Sequence, residues 1–376
     1  MLESEFSLSE DVCYLNHAAV SPWPARTVEV VSRFAEENGY QGSRNYEQWL
    51  CTEQLLRRQL RSLINAEDVD EIALLKSTSE ALSVVASGMD WSAGDEVILP
   101  SHEFPSNRIV WESLQECGVR IVPVDIGVTD APERALIEAI SEHTRLLSVS
   151  SVQYSSGLRL DLVPLGNACR KTGVAFCVDA IQSLGALPFD VQACQADFVV
   201  ADGHKWMLGP EGLALFYCRR KWIERLQLHQ FGWHMVEAMG DFDRKDWAPA
   251  SSARRFECGS PNMLGIHALH ASLSLILETG IESIAARLSE NIQYLIDGLS
   301  AQHVQFLSPV NSDRRAGIVT FRPNEPGIES RYRYLQENGV ICALRGGGIR
   351  FSPHFYTSKR VLDRALDILR ESCKGH

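Results

Sequence analysis

Six short apolar runs between about residue 70 and residue 220 constrain this chain's fold more than any other feature. They are EVILP (96–100), VRIVPV (119–124), RLLSVSSV (145–152), AFCVDA (175–180), DFVVA (197–201) and LALFY (213–217). Between them, APERALIEAIS (131–141) and LVPLGNACRKTG (162–173) carry apolar residues at three- and four-residue spacing, which is the helical period. Strand-like runs alternating with helical segments require crossover connections, and these predict a mostly parallel sheet with helices on its faces. A chain of 376 residues holds one such large α/β domain and a smaller one. Residues 262–302 have the pattern of long helices. GIVTFRP (317–323), VICAL (340–344) and GIRFS (348–352) then read as strands framing a helix at 328–338, and SKRVLDRALDILRES (358–372) reads as an amphipathic helix. The C-terminal part is therefore expected to be a smaller α+β domain.

Composition narrows the partners. With 48 acidic against 36 basic residues and a net charge of −12, the chain has no basic field to hold phosphates, so neither nucleic acid nor an anionic membrane surface is expected as a partner. Any anion must be bound at a local site. The ten cysteines form no CxxC pair, which reads as reduced thiols in the cytoplasm. The opening MLESEFSLSED is acidic and lacks the apolar core of a signal peptide. No uninterrupted apolar stretch approaches the roughly 18–20 residues of a membrane span.

Two of the strand-like runs end in chemistry. FCVDA ends at Asp179, and DFVVA leads through a Gly-His-Lys turn to Lys205. This arrangement sets a carboxylate and an amine at the ends of two strands, facing a common crevice. Pyridoxal phosphate requires that pair: an amine that forms an imine and a carboxylate that keeps an aromatic nitrogen protonated. In KSTSEALSVVA, Thr78, Ser79 and Glu80 open a helix whose free N–H groups suit an anion, though the same residues also serve as a helix cap.

The segments YLNHAAVSPWP, KSTSEALSVVA, HEFPSN, SSVQYSSG, VDAIQSLGALPFDV, ADGHKWMLGPEGLALFY, FGW, FECGSPN and IRFSPHFYT occur in order from residue 14 to 357. Through them the chain resembles the class V aminotransferase family of fold type I pyridoxal-phosphate enzymes, which includes cysteine desulfurases, kynureninase, isopenicillin N epimerase and several aminotransferases. The resemblance implies a large cofactor domain at 21–260 built on a mostly parallel, seven-stranded-type sheet. It also implies an N-terminal arm at 1–20 joining a small domain at 261–376, and a homodimer with sites at the subunit interface.

The resemblance assigns roles as well. Lys205 is the residue of the internal aldimine and the proton carrier at the substrate α-carbon. Asp179 pairs with the pyridine nitrogen, and Gln182 bonds the ring oxygen. Thr78, Ser79 and His204 hold the phosphate, with Ser260 reaching the partner subunit's phosphate. Phe104 stacks on the ring, and Trp233 is a second aromatic for the same pocket. Arg350 grips the α-carboxylate through two parallel hydrogen bonds, with Arg345 as its rival. Asn16 and Gln153 lie on the substrate side. Asp202 stands where the family often has serine and is expected to point away from the phosphate, because an acid beside a dianion is unfavourable. Thr357 follows Tyr356 where the family usually has asparagine.

The expected activity is that of an enzyme on an amino acid, of the aminotransferase type. The alternatives are a C–S lyase or desulfurase-like enzyme and, from another class, a non-catalytic cofactor-binding scaffold. Desulfurases of this family carry a nucleophilic cysteine on a mobile loop. Here Cys342 lies within strand-like VICAL, eight residues before Arg350, and is expected to be inert. No metal site is expected, since His267 and His270 read as helix-packing residues.

Overall fold

A computed structural model describes residues 4–127, 129–324 and 327–372. Its strands are β1 (Cys13–Tyr14), β2 (Ile72–Leu75), β3 (Glu96–Pro100), β4 (Arg120–Val124), β5 (Thr144–Ser150), β6 (Ala175–Asp179) and β7 (Phe198–Asp202). They continue as β8 (Ala214–Cys218), β9 (Val304–Phe306), β10 (Val319–Pro323), β11 (Val340–Ile341), β12 (Ala343–Arg345) and β13 (Gly348–Phe351). The helices of the first half are α1 (Ala25–Gln41), α2 (Tyr46–Leu63), α3 (Thr78–Gly88), α4 (Ser106–Glu112), α5 (Pro132–Glu138) and α6 (Leu162–Thr172). After them come α7 (Arg220–Ile223), α8 (Met263–Thr279), α9 (Ile281–Ser300), α10 (Ile328–Glu337) and α11 (Lys359–Glu371).

The central sheet has seven strands in the order β2-β8-β7-β6-β5-β3-β4. Pairing is parallel from β7 through β6, β5 and β3 to β4, whereas β8 runs antiparallel to both β7 and β2. Every residue of β6, β7 and β8 is buried, as expected for strands covered on both faces. Local signals set the helices between them. Asp161 accepts a hydrogen bond from the Val163 N–H to start α6, and Gly173 at φ 77° ends it.

A second sheet, β12-β13-β10-β9, is antiparallel throughout and packs on α9 and α11 around Leu295, Phe321, Ile349, Phe351 and Leu366. β1 lies parallel to β11 beside this small core. Among the described residues, no single helix is long and apolar enough to cross a membrane.

The structure departs from the sequence reading in two places. VICAL is two strands rather than one: β11 pairs with β1, the chain breaks at Cys342, and β12 joins the four-stranded sheet. The second concerns α8, which follows the expected division at 260/261. Ile266, Leu269 and Leu273 of α8 belong to the large-domain core, and α8 packs on α1 and α2. Ile284 at the start of α9 belongs to that core as well, so the long helices are shared between the two cores.

Candidate active site

Parallel strands end on one edge of the sheet, and a ligand crevice forms outside those carboxyl ends. Here β5, β6 and β7 end at Ser150, Asp179 and Asp202, with Ser150 opposite Asp179 and Asp179 opposite Val200. Lys205 follows β7 in a tight turn in which the Gly209 N–H donates to the Gly203 carbonyl at 2.8 Å. Leu208 within this turn has φ 61°, a left-handed conformation costly for a branched side chain. Gly185 is required beside it, since a Cβ there would lie 2.2 Å from the Trp206 carbonyl oxygen.

Lys205 is buried, and its amine forms no hydrogen bond or ion pair with any described residue. Its nitrogen stands 5.4 Å from the centroid of the Phe104 ring. Burial lowers its pKa to about 8, against the opposing field of Asp179. Asp179 is also buried, and burial raises its pKa to about 6. One of its oxygens accepts the Ile181 N–H at 3.0 Å, and the other accepts nothing from the described residues. A buried carboxylate with a free oxygen, facing a buried amine without a partner, is costly unless a polar group sits between them.

Gln182 is locked. Its carbonyl oxygen accepts the Trp206 indole N–H at 2.8 Å, which turns its amide nitrogen to donate to the Ala18 carbonyl at 3.0 Å. That nitrogen keeps a second hydrogen to give. Phe104 is half-exposed, and its ring meets Tyr154 edge-on at 5.2 Å.

The start of α3 corrects the reading of Asp202. This residue does not point away but turns onto the helix end. Its carboxylate accepts the Thr78 N–H at 3.0 Å, and its own N–H donates to the Thr78 hydroxyl at 3.0 Å. A carboxylate is favoured there because the helix N-terminus is positive. Ser77 accepts the Glu80 N–H, so Ser79 retains the free N–H of that turn, with its hydroxyl donating to Ser106. The His204 Nδ1 is buried without a hydrogen bond, 3.6 Å from the Asp202 carboxylate.

Two further candidates have other partners in this structure. Gln153 braces a loop. Its oxygen accepts the N–H groups of Ser155 and Ser156 at 2.7 and 2.6 Å, and its nitrogen donates to the His102 carbonyl. Trp233 is not brought to the cluster. Its ring partners are His234 and Phe242, in a lobe that also carries Phe231 and Trp247. Ser260 is exposed, in a cavity wall shared with Lys76 and Glu80 beside α3.

Arg350 of β13 is buried over the same crevice. Its Nη1 donates to the Tyr154 carbonyl at 2.7 Å, and its Nη2 reaches the Asn16 side-chain oxygen only at 3.5 Å. Its Nε is buried with no partner. The Nε–Nη2 edge is thus the side of the guanidinium left without a strong partner, and a carboxylate reaching it would complete two parallel hydrogen bonds. Burial lowers its pKa to about 10, which leaves it charged at neutral pH.

Sequence reasoning passed over Glu103 and His17. Glu103, next to Phe104, is buried and accepts both the N–H and the hydroxyl of Ser150, at 2.7 and 2.5 Å. Burial raises its pKa to about 7. An acid inside the aromatic turn HEFPSN was the available signal. His17 bonds the Ser352 carbonyl at 2.8 Å and the Tyr356 hydroxyl at 2.7 Å, and burial lowers its pKa to about 4. Nothing in YLNHAA foretells those distant partners.

These residues fit pyridoxal phosphate. They offer a free amine, a free buried carboxylate oxygen, a ring face and a helix start with one free N–H, and Asp202 is the single unfavourable charge. His267 and His270 are tied to Met263 and Gln59 as packing residues. The buried Glu53, His234 and Glu257 gather around Arg57, which fills the space between the two carboxylates.

Comparison with known proteins agrees with this geometry. The family model for Aminotransferase class-V matches residues 13–358. The chain is 27% identical to a probable cysteine desulfurase of Pyrococcus abyssi, covering 100% of this chain and 97% of the relative. It is 30% identical to the uncharacterized aminotransferase YcbU of Bacillus subtilis, over 87% of this chain and 85% of that one. Among solved structures, the apo cysteine desulfurase of Thermococcus onnurineus superposes with a TM-score of 0.86 at 23% identity, over 97% and 96% of the two chains. The cystine C–S lyase C-DES in complex with its product cysteine persulfide gives a TM-score of 0.88 at 23% identity, over 96% and 97%. The chain belongs to the class-V aminotransferase family.

Proposed function

We propose that this protein is a pyridoxal-phosphate enzyme that acts at the α-carbon of an amino acid, with chemistry of the aminotransferase type. Pyridoxal phosphate is the cofactor of its family, and when bound it supplies an electron sink for a bond broken at that carbon. Lys205 is the residue that holds it. Asp179 would keep a proton on the ring nitrogen, Gln182 has a second amide hydrogen that would serve the ring oxygen, and Phe104 would cover the ring. Ser79 and His204 serve the phosphate, and Ser260 reaches the partner's site in a cytoplasmic homodimer.

The observation that carries the substrate reading is the Nε–Nη2 edge of Arg350, a buried guanidinium edge with no acid to pair with among the described residues. It orients an α-carboxylate, and so the whole amino acid, above the crevice. With the carboxylate fixed, the Lys205 amine is the base and then the acid at the α-carbon, and its pKa near 8 suits both roles at neutral pH.

A C–S lyase is the second reading, favoured by the cysteine desulfurases and the cystine C–S lyase that the chain is similar to. The version that forms a persulfide on Cys342 is disfavoured. That thiol is buried in the small-domain core, and burial raises its pKa to about 12. The test is a screen of amino acids and keto acids with product identification. Amino-group exchange with a keto acid supports the first reading. Pyruvate, ammonia and sulfide from cysteine, or pyruvate, ammonia and cysteine persulfide from cystine, would replace it with the second.

A further inference from the structure

Side chains alternate between the two faces of a strand, and residues opposite one another in an antiparallel pair share a face. In the small-domain sheet, Ile349 pairs with Phe321 and Phe351 with Val319, and all four enter the small core. The other face carries Thr320, Ala343, Arg345 and Arg350. It covers the 153–156 loop, where Thr320 donates to the Ser155 carbonyl and Arg350 to the Tyr154 carbonyl. Arg350 stands opposite Ala343, and Arg345 is two residues further along the same strand. The two arginines are therefore diagonal neighbours on one face, with backbones about 7–8 Å apart.

The turn beyond Arg345 is fixed. Gly346 and Gly347 have φ of 57° and 75°, Arg322 donates its Nε–H to the Gly347 carbonyl at 2.9 Å, and Ser155 packs 3.0 Å from where a Gly346 Cβ would be. Arg345 is thereby held at the rim of the crevice, exposed, while Arg350 lies inside. Among the described residues its side chain donates only from Nη1 to the neighbouring Leu344 carbonyl. Neither guanidinium pairs with a carboxylate among the described residues, although the chain carries 48 acidic side chains. Arg345 also contributes to lowering the pKa of both Arg350 and Lys205, so its charge faces the same space. Two like charges side by side on one face are unfavourable until an anion joins them.

We propose that Arg345 determines substrate specificity by receiving a second acid group at the end of the substrate side chain, while Arg350 receives the α-carboxylate. The substrate class is then the amino acids with an acidic side chain. This inference rests on the amino-acid reading of the site given above.

The test compares L-aspartate, L-glutamate, L-cysteine sulfinate and O-phospho-L-serine with L-alanine, L-serine and L-cysteine, in the cofactor-loaded protein and in its Arg345→Gln and Arg345→Lys variants. Calorimetry with glutarate, succinate and butyrate gives a readout independent of turnover. The expected result is that at least one acidic substrate exceeds every neutral one in kcat/KM. Arg345→Gln should lower the acidic-to-neutral ratio about tenfold or more, mainly through KM, and Arg345→Lys should restore part of it. A dicarboxylate should bind more tightly than butyrate, and Arg345→Gln should remove that advantage. Preference for a neutral amino acid, or an equal loss on both classes in Arg345→Gln, would overturn this inference and leave the amino-acid reading standing. Failure of every amino acid to react or bind would overturn both.

Discussion

Glu103 and Asp179 end up as two buried carboxyls within each other's field, and each has a pKa above the ordinary carboxyl value because burial disfavours its charge. A group whose pKa is raised on folding stabilises the fold fully below its unfolded pKa and loses that contribution as pH rises through the folded one. For Glu103 the window runs from about 4.5 to about 7. Cofactor-free protein should therefore lose stability relative to Glu103→Gln between pH 5 and pH 8, by about 2.5 kcal/mol. Urea unfolding of the two proteins at both pH values checks this, and parallel pH dependence would refute it. Arg350→Ala should weaken amino-acid binding by roughly 2–5 kcal/mol, as for a charge pair that loses one buried partner. Cys342→Ser should keep most activity, since the thiol lies in the small core. Spectral titration of the two variants side by side decides, and loss of activity in Cys342→Ser would restore the persulfide chemistry. The nearness of Asp179 and Lys205 was legible in the sequence because each ends a strand-like run, whereas Gln182 and Arg350 were named only through the family resemblance. The orientation of Asp202 was not legible. Its carboxylate chooses between solvent and the Thr78 N–H, a partner 124 residues away in sequence.

At the scale of elements, Arg57 joins pieces that no local pattern connects. Its guanidinium lies between Glu53 of α2 and Glu257 before Ser260, and it also donates to the Ile72 carbonyl of β2. Glu257 in turn accepts the Leu74 N–H at 2.9 Å. Arg57→Met leaves two buried carboxylates unpaired and should cost about 3–5 kcal/mol, read as a lowered denaturation midpoint with unchanged m. A loss under 1 kcal/mol would show that the network is not needed to hold the Ser260 segment. The six strand-like runs and the helices 131–141 and 162–173 were readable because period and length both favour one assignment. The VICAL segment misled because two strands in different sheets read as one run when only Cys342 separates them. Which core α8 enters was not legible, since an apolar helix does not announce its partners; α1 and α2 cover it.

For the whole molecule, the proposed homodimer predicts that sedimentation equilibrium gives twice the chain mass. It also predicts that Ser260→Ala weakens cofactor binding without dissociating the dimer. A monomer with full cofactor affinity would contradict this. The paired domains follow from composition and pattern, whereas the joining of β1 to β11 depends on pairing across more than 300 residues that no periodicity encodes. Everything proposed for the crevice depends on Lys205 carrying the cofactor, and one measurement tests that directly. The cofactor-loaded protein is reduced with borohydride, digested, and mapped by mass spectrometry. The cofactor mass should sit on the peptide containing Lys205 and be absent from Lys205→Ala treated in the same way. Cofactor fixed to another lysine, or to none in protein that has bound it, would contradict the account.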